Sequence, residues 1–534
     1  MAYDMKLPDA IDLSHHLSEV ARAREISPLK DLQQYLGRDD LLSIAGGLPH
    51  PDFFPFDKIS ATVYSKDVFP TDSPATTLSL FSRIAQFFGK GRDEINIKRY
   101  AKQAGDLSLA ESLQYGLSSG QPGLQGIIRE IVHRIYKPAY RDWTILIHSG
   151  NTDGWGRAVM TLCDPGDVIL ACEWTYPSAM AASRPLGITA VSVAADEGGM
   201  RSDALLETLS SWDEKERGAP RPRVMYTIPV GQNPTGSTMS IERKKRIYDI
   251  CVEYDIVIVE DDPYYFLQEG QYHLPQVRPV ESKELSNDAF IASLVPSYVS
   301  IDYQGRVVRL DSFSKTVAPG CRLGWFTCNP LFRERFERQG ETSVQAACGF
   351  SQALVAALLM KWGIEGYIRW LRGLRGQYRK RRDFCIDCFA ESFELKASTV
   401  NDHQTTYDGY IRREESTYSK RWQENFMGTD DFFPVISFMP PTSGMFLWIQ
   451  VNFQAHPSSS QSGKKDLELQ LLKKFVDAGI LVAPGSIFSA DGYGDDSPGH
   501  LRLSFSNAEL PVLKKAIGTM AAVLEKFFYG EGRL

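Results

Sequence analysis

Short apolar runs alternate with helix-like segments through the middle third of the chain. Five of these runs are rich in aliphatic residues and are predicted to be buried strands: 144–148, 168–172, 224–228, 256–259 and 307–310. Apolar residues recur at helical spacing at Ile247, Ile250, Cys251 and Tyr254, which predicts an amphipathic helix over 241–254. Strands that alternate with helices predict an α/β fold, in which helices cover both faces of a mostly parallel sheet.

A polar cluster follows each of these strands. The clusters are SGNTDG (149–154), EWTY (173–176), GQNPTG (231–236), EDDPYY (260–265) and DSFSK (311–315). In open α/β sheets, ligands bind in the crevice beyond the carboxyl ends of the strands. The five clusters therefore predict a single pocket at that edge of the sheet.

The C-terminal third has different patterns. Helical spacing dominates 345–391, and the apolar runs 444–449 and 501–505 are predicted strands of a second, smaller domain. Residues 399–435 are polar and aromatic without a clear period, and 455–465 are predicted to be a solvated loop. These patterns indicate a smaller domain that follows the main sheet.

The composition restricts the class of protein. The chain has 534 residues, of which 43% are hydrophobic and 23% charged, with a formal net charge of −7. Such mild acidity provides no basic field for nucleic acid, and no apolar stretch approaches the roughly 20 residues that a membrane-spanning helix needs. The eight scattered cysteines fit a reducing compartment better than a disulfide framework. We expect a cytoplasmic enzyme that binds neither nucleic acid nor membrane.

Lys315 is the first candidate for chemistry. It follows a predicted buried strand, the hydroxyls of Ser312 and Ser314 precede it, and Arg322 lies seven residues further on. A lysine in this setting can form a Schiff base with a carbonyl compound, while the hydroxyls and the guanidinium hold an anionic phosphate. A solvated lysine in a strand-to-helix turn is the alternative, and this segment alone weighs the two about evenly.

Asp261 and Asn233 lie near the ends of two predicted strands. A carboxylate that follows four aliphatic residues is expected to be partly buried, and it then needs a cation such as a protonated pyridine nitrogen. A turn-capping role for the Asp261-Asp262-Pro263 segment is the alternative, and this segment alone slightly favours it. Asn233 lies in a turn before proline, which is mostly structural, although its amide could also donate to a phenolate oxygen.

Four further residues carry weaker signals. Asn151 and Thr152 open a predicted helix, where free backbone N–H groups favour an anion, although plain N-capping is the more common explanation. Tyr176 could stack on an aromatic ring or simply pack in the core. Arg502, on a late strand, could pair with a carboxylate in bidentate fashion or be solvated.

Signals for other chemistries are missing from the sequence. Neither GxxxxGK[ST] nor GxGxxG occurs, so neither nucleotide-binding fingerprint applies. Cys385 and Cys388 lie in a helical pattern without a second pair, and the nine histidines form no recognised ligand motif. We therefore expect no metal.

In this order, the motifs resemble those of the fold-type I pyridoxal phosphate enzymes, namely the class I/II aminotransferases. The segments SIAGGLP (43–49), LQYG (113–116) and EDDPYYFLQ (260–268) are similar to those of the aromatic amino acid, kynurenine and 2-aminoadipate aminotransferase branch. The similarity extends from about Ser27 to the C-terminus, with insertions. It implies pyridoxal 5'-phosphate as the cofactor and a homodimer with shared active sites.

The resemblance also implies a role for each candidate residue. Lys315 would bind the cofactor covalently, Asp261 would pair with its pyridinium nitrogen, and Tyr176 would stack on its ring. Asn233 and Tyr264 would hydrogen-bond the ring oxygen, and the three-residue spacing to Tyr264 selects Asp261 over Asp262. The residues expected at the phosphate are Asn151, Thr152, Ser312, Ser314, Arg322 and, reaching into the partner subunit's site, Tyr115. The residues expected at the substrate are Arg502, which would bind its α-carboxylate, Asn233, and Gly47, whose backbone would close over it.

The activity that this resemblance implies is amino-group transfer. The donor would be an aromatic or similar large L-amino acid, and the acceptor a 2-oxo acid, expected to be 2-oxoglutarate, in a ping-pong mechanism. Three alternatives stay open: a 2-aminoadipate or kynurenine donor, a lyase or decarboxylase reaction with the same cofactor, and a non-enzymatic aminotransferase-like regulator.

The fold implied by the resemblance has a large domain, with a mostly parallel seven-stranded sheet between helices, and a smaller α+β domain. We expect an N-terminal arm with part of the small domain over 1–75, the large domain over 76–370 and the C-terminal small domain over 371–534. Most known relatives in this branch are shorter, and the additional length is expected near 281–305, 395–440 and 455–465.

Overall fold

The structure is a computed structural model of the chain. It describes residues 7–28, 35, 40–41, 44–45, 47–66, 91–103, 105–279, 285–401, 404–411, 433–460, 462–492 and 499–530. The predicted domain boundary between residues 75 and 76 lies outside the described residues, as do parts of the insertions predicted near 281–305 and 395–440 and of the predicted loop 455–465.

The described strands and helices have the following bounds. The strands are β1 Lys58–Tyr64, β2 Arg92–Lys98, β3 Thr144–His148, β4 Val168–Cys172, β5 Thr189–Val193, β6 Ala195–Asp196, β7 Gly199–Met200, β8 Val224–Thr227, β9 Val257–Asp261, β10 Val307–Ser312, β11 Gly324–Cys328, β12 Phe393–Asn401, β13 Gln404–Ile411, β14 Ile436–Phe438, β15 Phe446–Val451, β16 Ala483–Pro484 and β17 His500–Ser504. The α-helices are α1 Glu19–Ala23, α2 Leu109–Ser112, α3 Pro122–Ile131, α4 Asn151–Leu162, α5 Pro177–Ser183, α6 Ser202–Ser210, α7 Glu214–Arg217, α8 Ile241–Glu253, α9 Asn287–Ala292, α10 Pro330–Glu341, α11 Gly349–Ser392, α12 Lys464–Asp477 and α13 Leu510–Tyr529.

Seven strands form the central sheet, in the order β3-β11-β10-β9-β8-β4-β5. Strand β11 runs antiparallel to both of its neighbours, and the other neighbouring pairs are parallel. The predicted mostly parallel seven-stranded sheet is thus confirmed. Strands β4, β8 and β9 are buried along their whole length, as expected of parallel strands that helices cover on both faces.

Side chains of β9 alternate between two hydrophobic cores. Ile258 belongs to the core that helices α3, α6, α8 and α11 cover, whereas Val257 and Val259 belong to the core covered by α4, α5 and α10. Because successive strand residues point to opposite faces, this alternation also sets where the polar residues at the end of β9 point.

The second sheet has six strands, all antiparallel, in the order β12-β13-β14-β15-β17-β16. Strands β15 and β17 correspond to the predicted strands 444–449 and 501–505. The β12–β13 hairpin falls largely in the region where the sequence showed no clear period, because β12 is mostly exposed and lacks an apolar alternation to detect.

Helix α11 connects the two sheets. It spans 44 residues and is broken at Gly363, which has a left-handed φ of 66°. Val355 and Leu359, before the break, pack in the core of the central sheet, and Cys385 and Phe389, near the end, pack in that of the second sheet. The domain boundary predicted at residue 370 therefore falls inside a helix that contributes to both cores.

The N-terminal segment packs against the central sheet. Leu13, Leu17 and Ala21 are buried in the core that α4, α5 and α10 cover. Across the described ranges, no helix has both the length and the apolar character needed to cross a membrane.

Candidate active site

A cavity of about 290 Å³ lies beyond the carboxyl ends of β8, β9 and β10. It lies where the polar clusters that follow the strands were predicted to converge. The sequence-predicted residues that line it are Asn151, Thr152, Tyr176, Asn233, Asp261, Tyr264, Ser312, Ser314, Lys315 and Arg322. Residues separated by up to 171 positions are thus brought together, from Asn151 to Arg322.

Lys315 enters the cavity from the turn that follows β10. Ser312 ends the strand, and its Oγ accepts a hydrogen bond from the Ser314 backbone N–H at 3.0 Å, which turns the chain into the short helix Phe313–Lys315. Burial lowers the pKa of Lys315, and the cationic side chains of Arg322 and Arg502 lower it further. The structure therefore favours release of the ammonium proton, which an amine needs before it can act as a nucleophile or a base.

Asp261 ends β9 and points into the cavity. Its Oδ1 accepts a hydrogen bond from Asn151 Nδ2 at 2.6 Å, and its Oδ2 accepts one from the Tyr226 hydroxyl at 2.6 Å. Burial raises the pKa of Asp261, and these hydrogen bonds oppose the rise. Among the described residues, no side chain forms an ion pair with it, so this buried carboxylate is held by neutral donors alone.

Asn233 connects the cavity to the second sheet. Its Oδ1 accepts a hydrogen bond from Arg502 Nη1 at 2.7 Å, and its side chain lines the cavity together with that of Tyr264. Burial raises the pKa of the Tyr264 phenol, and the nearby Asp261 carboxylate raises it further. The tyrosine is therefore held as a neutral hydroxyl next to Asn233.

The Arg502 side chain lies between two aromatic rings. Its guanidinium carbon is 4.3 Å from the ring centroid of Phe446 and 4.7 Å from that of Phe488. Its Nε is buried and has no hydrogen-bond partner within the part of the chain that the structure describes. The two rings fix the plane of the guanidinium, and the free donor can bind a further oxygen atom.

The other end of the cavity combines hydroxyls with a cation. Ser312 Oγ donates to Ser314 Oγ at 2.8 Å, and Arg322 Nη2 donates to the Ser149 carbonyl at 3.1 Å. Gly150 has a left-handed φ of 93°, and a Cβ there would lie 2.5 Å from Arg322 Nη2. Only glycine allows this approach, which brings Arg322 to the first turn of α4, where free N–H groups favour an anion.

Four expected residues behave differently from the rest. Tyr115, Gly47 and Arg502 are not among the residues that line the cavity. Tyr115 is 62% exposed, whereas Arg502 contacts the lining residues Asn233 and Phe446. Asn151 lines the cavity, but its side-chain amide donates to Asp261 and to the Leu310 carbonyl, whereas a phosphate contact was expected. The local reason is that α4 begins opposite the ends of β9 and β10, within reach of Asp261.

The sequence reasoning missed three residues that shape the site. Tyr226 lies within β8, where its apolar neighbours suggested an ordinary core residue, yet its hydroxyl reaches Asp261. Phe446 and Phe488 enclose Arg502, and their positions depend on packing between segments far apart in sequence. A buried tyrosine generally needs a hydrogen-bond partner, which is the only signal that could have singled out Tyr226.

Comparisons with known proteins agree with this geometry. Residues 89–519 match the family of class I and II aminotransferases. An aromatic amino acid aminotransferase of Schizosaccharomyces pombe is 34% identical over 521 residues, which are 97% of this chain and 98% of that protein. An L-tyrosine:2-oxoglutarate aminotransferase of Serpula lacrymans var. lacrymans is 33% identical over 92% of this chain and 86% of that protein.

A solved structure is similar over nearly the whole chain. The aminotransferase Aro8 from Candida albicans has 33% sequence identity and a TM-score of 0.81, with 98% of this chain and 99% of that chain covered. The protein described here is a member of the class I and II aminotransferase family. The resemblance inferred from the motifs is thereby confirmed.

Proposed function

We propose that the protein is a pyridoxal 5'-phosphate-dependent aminotransferase that moves the amino group of an aromatic L-amino acid to a 2-oxo acid, with 2-oxoglutarate as the acceptor. One observation supports this most strongly: Lys315 and the cation-free carboxylate of Asp261 line the same cavity. The relatives named as aromatic amino acid and L-tyrosine:2-oxoglutarate aminotransferases support the donor and the acceptor.

The residues of the cavity fit this cofactor. Asp261 is buried, and its side-chain donors in the described ranges are neutral, so a protonated ring nitrogen would supply the missing positive charge. Ser312, Ser314 and Arg322 offer hydroxyls and a cation for the phosphate, and the Tyr264 hydroxyl and Asn233 amide suit the ring oxygen. Tyr176 lines the same cavity and would stack on the ring.

Residues of this chain would carry out the binding and proton-transfer steps. Arg502, held by Phe446, Phe488 and Asn233, would bind the α-carboxylate of the amino acid. When bound, the cofactor delocalises the negative charge that develops on the α-carbon of the amino acid. Lys315, with its lowered pKa, would hold the cofactor and then accept the α-proton as a neutral amine.

A donor screen tests the proposed reaction. The purified holoenzyme is mixed with 2-oxoglutarate and, in turn, tyrosine, phenylalanine, tryptophan, kynurenine or 2-aminoadipate, and glutamate is measured. We expect the highest kcat/KM with the three aromatic amino acids and one glutamate for each oxo acid formed. Release of ammonia or carbon dioxide in place of glutamate would instead identify a lyase or a decarboxylase.

Replacing the proposed cofactor lysine gives the sharpest single test. Lys315→Ala is expected to lower kcat by about a thousandfold or more, because nucleophile and base are lost together. The exposed Lys361 on α11 provides a matched control, since Lys361→Ala removes a lysine outside the cavity. Turnover of Lys315→Ala within tenfold of wild type would refute the assignment.

We also propose a homodimer in which Tyr115 reaches the partner subunit's site. Tyr115 is exposed and lies outside its own cavity, and Leu48, Phe53, Phe56 and Tyr64 of the N-terminal region are exposed too. Such apolar exposure is typical of an interface. Inactive Lys315→Ala and Tyr115→Ala chains, when mixed, should regain part of the activity if the sites are shared. No recovery would contradict the shared site, and a monomer by light scattering would contradict the dimer.

Two other expectations stay predictions. Gly47 is exposed, and its closure over the substrate stays a prediction of the family resemblance. A cytoplasmic location rests on the composition, and imaging of the tagged full-length chain would test it.

A further inference from the structure

Two histidines of the N-terminal segment meet an aspartate at the end of helix α8. His15 Nε2 lies 2.6 Å from Asp255 Oδ2, and His16 Nε2 lies 3.1 Å from Asp255 Oδ1. One ligand atom from each of the three residues lies within 4.8 Å of the others. Two imidazoles and a carboxylate are a typical donor set for zinc and related divalent ions.

We propose that His15, His16 and Asp255 form a binding site for a divalent transition metal ion of the zinc type, separate from the active-site cavity. The ion would tie the N-terminal segment to the central sheet. Metal-binding motifs are recognised in a sequence by short spacings between ligands. Here His16 and Asp255 are 239 positions apart, so the sequence offered no reason to expect a metal.

The ligand atoms are close to the required spacing. Zinc bonds to nitrogen and oxygen are about 2.0–2.2 Å, which puts tetrahedral ligand atoms about 3.4 Å apart. The hydrogen-bonded contacts observed between the imidazoles and the carboxylate would therefore open by less than about 1 Å when the ion enters.

The surroundings hold the two histidines in place and leave the site open to solvent at His15. His16 is buried between Leu13 and Leu17, which anchor the segment in the core. Arg22 Nη2 and Arg223 Nη1 donate to the His15 carbonyl at 2.9 and 3.2 Å, which fixes the backbone at this ligand. The His15 side chain is 55% exposed, so an ion and its remaining water ligands can enter from solvent.

One neighbouring cation competes for the carboxylate. Arg306 Nη1 donates to Asp255 Oδ1 at 3.5 Å and to the Ile256 carbonyl at 2.9 Å. The contact with Asp255 is long for a hydrogen bond, so an ion at the site can compete with it.

Zinc titration of the untagged holoenzyme tests the site. Isothermal calorimetry with Zn²⁺ should show one saturable site per chain, and Co²⁺ should give a visible d–d absorption band. The melting temperature should rise with Zn²⁺ and fall back with a chelator, because the ion binds only the folded arrangement.

Substitutions assign the binding to these residues. His15→Ala, at an exposed position, and Asp255→Asn should each weaken Zn²⁺ binding at least tenfold and abolish the rise in melting temperature. His133→Ala, which removes an exposed histidine elsewhere, and Cys348→Ser, which removes an exposed thiol, should leave binding unchanged. The absence of saturable binding, or equal binding by wild type and His15→Ala, would overturn the proposal.

Discussion

Asp261 and Asp262 are adjacent in the chain, yet they lie in contrasting environments. The alternation of β9 sends Asp261 to the cavity face, where its side-chain donors among the described residues are the neutral Asn151 and Tyr226. It sends Asp262 to the opposite face, where Arg309 Nη1 donates to its Oδ2 at 3.0 Å. Both carboxylates are buried, so the difference lies in whether the protein supplies the compensating charge.

The face that holds Asp262 contains a closed ionic cluster. Arg309 is fully buried and contacts Glu260, Asp262 and Asp311 at 3.1, 3.0 and 2.9 Å. The ring centroids of Tyr136 and Tyr265 lie 4.1 and 4.7 Å from its guanidinium carbon. This cluster supports the end of the sheet, whereas the Asp261 side leaves a charge for a ligand to neutralise.

Removing the arginine should produce the largest effect on stability. Arg309→Met leaves buried carboxylates without their cation, and it is expected to lower the free energy of unfolding by about 3–5 kcal/mol. Denaturant unfolding of the apoprotein measures this loss. Arg243→Met, which breaks a partly exposed pair with Asp196, should cost at most about 1 kcal/mol. Equal losses in the two variants would show that the buried cluster is not ionised.

Replacing each aspartate in turn with asparagine tests which face of β9 contributes to catalytic activity. Asp261→Asn should lower kcat/KM by about a hundredfold, because an amide cannot compensate a cationic ring nitrogen. Asp262→Asn should change kcat/KM by less than about threefold, because its side chain points away from the cavity. If Asp262→Asn were the more damaging variant, the cofactor contact would belong to the other face.

The sequence predicted the cavity side of this comparison far better than the opposite side. Lys315, Asp261 and Asn233 follow strands, and strand ends converge in this class of sheet, so their meeting could be anticipated. The segment EDDPYY left Asp261 and Asp262 as near equals until the resemblance selected Asp261. Arg309 lies in the middle of a strand, with Asp311 two residues further along the same strand. Its other two carboxylate partners, Glu260 and Asp262, join it only through the pairing of β9 with β10.

The Asp262 environment should also appear in the pH dependence of stability. Burial raises the pKa of Asp262 to about 7, although Arg309 opposes the rise. A folded-state pKa above the unfolded value means that the folded protein holds the proton more tightly. This stabilisation is present below about pH 4 and is lost as the pH rises through 7. Between pH 5 and 8, the unfolding free energy of the wild-type apoprotein should fall by more than that of the Asp262→Asn apoprotein. If the two plots of unfolding free energy against pH run parallel, the raised pKa does not belong to Asp262.

The smallest expected effects come from two tyrosines, one on each face of the sheet. The Tyr226 hydroxyl donates to Asp261 Oδ2 at 2.6 Å, and the Tyr136 hydroxyl donates to Asp311 Oδ1 at 2.8 Å. Tyr226→Phe should lower kcat/KM about tenfold, equivalent to about 1.4 kcal/mol, since a carboxylate oxygen at the cavity loses its donor.

The matched variant on the opposite face, Tyr136→Phe, should affect stability more than activity. Tyr136→Phe should lower the unfolding free energy of the apoprotein by about 1–2 kcal/mol and leave kcat/KM within about twofold, because Asp311 keeps two hydrogen bonds from Arg309. Steady-state kinetics and denaturant unfolding on both variants measure the pair. Loss of activity in Tyr136→Phe as large as in Tyr226→Phe would show that the two faces act on the cavity as one network. The proposed division of β9 into a cavity face and a structural face would then be wrong.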